Sequence, residues 1–193
     1  MRRFCLVLAL LLLSACSGKE PATTTATTAE QKPQAPKPPT VPQARETIAS
    51  AGEFGQFEFT NAAISVPVAG SSMNAPTREL LQQLSAAGWV ALDGSGDLML
   101  TDKSRSDKRF LLRENGLLDV VPLAKKEMGE VTAVRPNPDG TVTAEFTWKW
   151  VPNEVGASLK RGPVHDRFAA PHAARANLIW NGTEWTVVTI DPV

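Results

Sequence analysis

Residues 141–150 alternate without a break. Val142, Ala144, Phe146, Trp148 and Trp150 are apolar, and Thr141, Thr143, Glu145, Thr147 and Lys149 stand between them. Successive side chains of a strand point to opposite faces, so period two over ten residues commits this stretch to a sheet with one buried side. Val131–Val134 leads into it through Pro136-Asn137-Pro138-Asp139-Gly140. A second hairpin is predicted where Arg175–Trp180 and Glu184–Ile190 flank Asn181-Gly182, a dipeptide suited to the left-handed backbone of a tight turn. A two-residue loop there would set Leu178 opposite Trp185, with Trp180 beside them.

The preceding stretch mixes helix and strand. Gln56–Phe59 and Ala63–Val68 read as short strands, the latter an edge because it contains Pro67. Asn74 or Thr77 can cap a helix whose stripe is Leu80, Leu81, Leu84 and Ala87, with Pro76 in its first turn and Gly88 as terminator. Trp89–Leu92 and Leu98–Thr101 then flank a turn, Asp93–Asp97. Helix, hairpin and the polar segment Thr101–Arg105 resemble the helix and wing of a winged-helix domain over residues 77–105. The basic recognition helix that DNA binding requires is missing, and no nucleic-acid partner is expected. Arg109–Arg113 and Gly116–Val121 pair across Glu114-Asn115-Gly116, and Pro122–Met128 is predicted to be a short helix ending at Gly129. The fold class is therefore α+β: a helix plus β-hairpin followed by a curved antiparallel sheet. In outline the sheet resembles cystatin or nuclear-transport-factor folds, a likeness that carries no function.

The first residues concern address rather than fold. Met1-Arg2-Arg3 followed by the aliphatic run Leu6–Leu13 gives a positive start and an apolar segment too short to span a bilayer. The run closes on Leu13-Ser14-Ala15-Cys16. Over residues 1–16 this resembles the signal peptide of a bacterial lipoprotein. The resemblance implies cleavage before Cys16, a diacylglyceryl thioether on its sulfur, and acylation of the new amino terminus. One acyl chain binds a bilayer marginally at about 0.8 kcal/mol per buried methylene, whereas two or three anchor stably. Ser17, rather than Asp, follows the cysteine, which is similar to lipoproteins sorted to the outer membrane in Gram-negative bacteria and implies a periplasm-facing protein.

That reading removes thiol chemistry from the exported domain. Cys5 leaves with the signal and Cys16 is acylated, and the chain has no other cysteine. The core alone must hold the fold, which roughly 150 residues allow by burying close to 70% of the unfolded surface. Residues 16–45 are rich in Thr, Ala, Pro, Gln and Lys and lack apolar periodicity, so a disordered linker is expected, with the folded domain at 46–193 and a subdivision at 128/129 as an alternative. Without Arg2 and Arg3, eighteen Lys plus Arg face twenty Asp plus Glu. So balanced a charge argues against an electrostatic grip on nucleic acid or anionic lipid, leaving the acyl chains on Cys16 as the membrane attachment.

No catalytic residue, metal site or cofactor is expected. His165-Asp166 and His172 are the chain's histidines and are predicted to lie in a loop between Gly162 and Pro171, at a spacing that matches no established zinc pattern. Asp93-Gly94-Ser95-Gly96-Asp97 has oxygens at alternate positions, but Leu98 and Ser104 stand where a calcium loop needs Gly and Glu. Asn181-Gly182-Thr183 fits a glycosylation sequon and reads better as a turn. Trp148 and Trp150, with Trp180 and Trp185, read first as core and alternatively as an aromatic groove for sugar or peptide. The candidate binding surface comprises Trp148, Trp150, His165, Asp166 and His172.

The expected function is a non-enzymatic, lipid-anchored envelope domain that binds or scaffolds protein or peptidoglycan. Competing readings are a small periplasmic hydrolase or metal-binding protein using residues 162–172, and a toxin inhibitor or immunity lipoprotein. A Cys16→Ser chain is expected to lose fatty-acid labelling and remain unprocessed, read as precursor mass by intact-mass spectrometry. Acyl chains retained on that variant would refute the lipoprotein resemblance.

Overall fold

The computed structural model describes residues 36–193; Cys16, the expected signal and the linker up to residue 35 lie outside it. Its spine is β7 (Val142–Pro152), whose five alternating apolar residues are all buried, as the sequence predicts. β6 (Ala124–Pro136) and β8 (Pro171–Trp180) flank it, and β9 (Trp185–Pro192) completes an antiparallel meander of order β6-β7-β8-β9. The opposite face is wet and zipped across strands. Glu145 meets Arg135 at 3.2 Å and Arg175 at 3.6 Å. Asn137, Thr143, Asn177 and Thr189 form a hydrogen-bonded row beside them.

β6 carries a bulge between Met128 and Val131. Gly129 sits there so close to β7 that a Cβ would come within 2.5 Å of the Thr147 hydroxyl, which reserves the position for glycine. Its carbonyl accepts a hydrogen bond from Arg45 Nε at 3.1 Å, tying the bulge to the first helix.

That helix corrects the expected linker boundary. α1 (Val41–Ser50) starts inside the segment predicted as disordered to Arg45, and Pro39 before it is already buried. Gln43 Oε1 accepts from the Thr40 backbone N–H at 2.9 Å, while Ala44 and Ile48, one turn apart, are fully buried. The signal was present as Thr40-x-x-Gln43 ahead of that pair. α1 packs across β6 and β9, and α2 (Gly52–Gln56) follows it.

Residues 56–59 are not a strand. Gln56 ends α2, Glu58 is left-handed at φ 53°, and Phe59–Ala62 form a 3-10 turn. The apolar pair that packs is Phe54 with Phe57, three apart as on a helical turn, whereas Phe59 is exposed. Nor is 122–128 a helix: Ala124–Met128 lie opposite Trp148–Pro152 as the first half of β6. Local helix propensity in Ala-Lys-Lys-Glu-Met yields to pairing with a long strand, and Glu127 meets Lys149 at 3.1 Å across it.

The remaining elements follow the sequence more closely. β1 (Ile64–Pro67) is an edge of the sheet β1-β5-β4, as Pro67 indicates, with β4 (Phe110–Leu112) and β5 (Leu117–Val120) forming the expected hairpin. α3 (Ala75–Ala86) is capped by Asn74, whose Oδ1 accepts from Thr77 N–H at 2.9 Å, and it buries Leu81 and Leu84. β2 (Val90–Leu92) and β3 (Leu98–Leu100) form the second expected hairpin, followed by α4 (Asp102–Arg105) in place of an irregular polar segment. In the turn between β2 and β3, Asp93 Oδ1 accepts from the Ser95 hydroxyl and from the Ser95 and Asp97 amides, which holds its carboxyl below the usual range. Those oxygens shape a turn. One hydrophobic core includes residues on both sides of position 128.

The architecture is α+β, with the helix-plus-hairpin unit and the bent antiparallel sheet both present. Trp148 is central to it, 1% exposed and ringed by Phe57, Trp150 and His172. Trp148→Ala is expected to destabilise the domain by about 3–5 kcal/mol, read as a shifted urea midpoint. A loss under about 1 kcal/mol would show that this core does not centre on β7.

Candidate functional site

Of the residues predicted as a binding surface, Trp150 and His172 both pack against Trp148, while His165 and Asp166 pair with each other. Trp148 and Trp150 are 1% and 3% exposed, so they belong to the core and not to a surface. His165 and Asp166 stand on α5 (Pro163–Ala169), not in a loop: Gly162 at φ 91° and Pro163 at the first helical position start a helix whose Phe168 packs on Trp150. His165 Nδ1 lies 3.2 Å from Asp166 Oδ1, and the ring lines a shallow cleft with Lys160 and Phe168. His172 is on β8 instead. It stacks on Trp148 at 4.4 Å between ring centres, and its Nε2 lies 3.0 Å from the Arg167 carbonyl, which requires the proton on Nε2. The two histidines thus have separate partners. Among the described residues no group of three His, Cys, Asp or Glu side chains is placed to hold a metal ion.

An aromatic cage does exist around Trp148 and Trp150, and the chain fills it. Lys126 is on the inward face of β6 between Ala124 and Met128. Its Nζ hydrogen-bonds the carbonyls of Phe54 at 2.9 Å, Gly55 at 3.2 Å and Phe57, groups that the end of α2 leaves without helical donors. The ammonium also lies 3.9 Å from the Phe57 ring centre and within 5.7 Å of both indoles. Burial pushes its pKa down to about 8, with Glu58 pulling weakly the other way.

Trp180 and Trp185 are placed differently. The loop between β8 and β9 is Asn181–Glu184, four residues rather than two, because Asn181 Oδ1 accepts from the amides of Thr183 at 2.9 Å and Glu184 at 3.0 Å. Leu178 consequently faces Val187, and Trp180 faces Trp185. The two indoles meet edge to face with centres 5.9 Å apart; Trp185 leans on the core and Trp180 is 38% exposed.

This pair forms one wall of an open groove of about 710 Å³. The other wall is the polar stripe of α1, Gln43, Glu46, Thr47 and Ser50, at i, i+3, i+4 and i+7, extended by Glu53 of α2. Three carboxylates, Glu46, Glu53 and Glu184, line the groove with no Lys or Arg among its lining residues. None of the three makes an ion pair among the described residues. A second cleft, about 230 Å³, lies between β1 and α3, but its rim groups are engaged with each other. Arg161 meets Glu79 at 2.5 Å, and Gln83 Oε1 accepts from the Lys160 amide at 2.6 Å.

Of the four tryptophans weighed as core or groove, the pair expected on the binding surface, Trp148 and Trp150, is buried, and Trp180 and Trp185 line the groove. The missed signal was position: Trp180 and Trp185 flank a turn at a strand end, where an indole is less fully covered than in mid-strand. Compared with protein-family models, characterised proteins and solved structures, the chain matches none.

Between about pH 8 and 10.5 the folded domain has shed the Lys126 proton and the unfolded chain has not, so stability from this group rises with pH across that window. The Lys126 Cε resonance is expected to titrate near pH 8, and the urea midpoint relative to Lys126→Met should climb from pH 7.5 to 10. A titration midpoint at the ordinary lysine value would overturn burial as the dominant influence on this ammonium.

Proposed function

We propose that this is a non-enzymatic, lipid-anchored protein of the bacterial envelope that captures a polypeptide partner in the groove between α1 and the β8–β9 hairpin. The observation that carries the reading is the Trp180–Trp185 pair, with Trp180 38% exposed, set against a polar helix face. Exposed aromatic pairs of this kind are enriched where proteins meet, because a large rigid ring contributes area at little entropy cost. The anchor belongs to the lipoprotein resemblance of residues 1–16, with Cys16 as the acylated residue and the outer membrane as the expected site. The acyl chains hold the protein at a surface, and the groove is what it presents there. His165 and His172, with their separate partners, favour this reading over a hydrolase or metal-binding protein.

The test uses a photo-crosslinking residue in the full-length protein inside cells. Placed at Thr183, on the groove rim, it is expected to yield a discrete adduct that disappears with Trp180→Ala. Placed at Lys149, on the far face of the sheet, it should yield none. Equal adducts from both positions, or none from Thr183, would overturn the groove as the capture site.

A further inference from the structure

We infer that the partner segment taken by the α1–hairpin groove is an extended, basic stretch of polypeptide, with Lys or Arg side chains set against Trp180 and Trp185 and paired to Glu46, Glu53 and Glu184. This rests on the groove reading above and names the chemistry of its occupant. The argument begins from charge. The chain without Arg2 and Arg3 is nearly balanced, eighteen cations against twenty anions, yet the groove is lined by three carboxylates and no cation. Arg45, the cationic residue of α1, is turned to the other side, where it holds the Gly129 carbonyl. Carboxylates gathered round one concavity make the local potential more negative, and a low-dielectric wall strengthens it. The wall here is a pair of indoles, whose ring faces attract cations, and guanidinium in particular stacks on them.

Dimensions agree with an extended chain. The stripe from Gln43 to Ser50 spans about 10 Å at 1.5 Å per helical residue, the reach of about three residues at 3.3 Å each. Three carboxylates around that span suit a segment that carries several basic side chains. Peptidoglycan fits less well: its stem peptides carry free carboxylates, which this groove would repel.

The experiment uses the full-length acylated protein in nonionic detergent micelles. Three fluorescent probes are compared by anisotropy: a decapeptide alternating Arg and Gly, its counterpart alternating Glu and Gly, and a disaccharide–peptide fragment of peptidoglycan. The Arg peptide is expected to bind, more weakly as salt rises. Glu46→Gln, Glu53→Gln and Glu184→Gln combined should weaken it about tenfold. The same change of net charge made elsewhere, with Asp102→Asn, Glu114→Gln and Glu130→Gln, should leave it within about twofold. Trp180→Ala, which alters no charge, should also weaken binding severalfold.

The inference is overturned if the Glu peptide or the peptidoglycan fragment binds as well as the Arg peptide. It is equally overturned if the distant triple variant matches the groove variant, which would mean general electrostatic attraction. The cellular adduct separates the two levels of the reading. A Thr183 adduct to a segment without Lys or Arg removes the charge assignment and leaves the groove standing, whereas no adduct at all removes the groove itself.

Discussion

The inward row of β7 is the constraint to which the rest of the domain conforms. Three aromatic side chains in five successive inward positions are too bulky for a strand to cover with its neighbours alone, so elements from elsewhere in the chain are seated on them. Phe54 of α2 lies 6.1 Å from the Phe146 ring, Phe57 meets Trp148 at 5.2 Å, and Phe168 of α5 meets Trp150 at 6.0 Å. Each aromatic of β7 thus recruits a different covering residue. The indole N–H groups of Trp148 and Trp150 find no acceptor among the described residues, so these rings contribute buried area and ring contacts rather than hydrogen bonds.

What was legible in the sequence was what is written locally. Alternation in 141–150, the Asn74 cap with Leu81 and Leu84, and the edge character given by Pro67 each depend on a few neighbouring residues, and each appears in the structure. The errors share a different cause. Ala124–Met128 has a helical composition and becomes strand because β7 offers it a partner. Lys126 within that stretch points inward, where carbonyls at the end of α2, about seventy residues earlier, accept from its ammonium. Such pairings are invisible in a single window.

The site divides along the same line. Core and groove stand as alternatives for these four tryptophans in the sequence, and the structure buries two and leaves two lining a cleft. Mid-strand Trp148 and Trp150 are covered on all sides, whereas Trp180 and Trp185 sit where the sheet ends and covering elements thin out. Most of the loop expected between Gly162 and Pro171 is helix α5. Glycine followed by proline starts that helix, on which His165 pairs with Asp166 while His172 of β8 reaches the Arg167 carbonyl.

α1 is ten residues long and buries only Ala44 and Ile48. A helix that short is marginal by itself, so it persists because it is docked. The groove is therefore assembled rather than carved: one wall is rigid sheet, and the other exists only while a short helix stays folded against it. Occupancy and helix formation then draw on a single equilibrium, in which an occupant that bridges both walls also holds the helix in place.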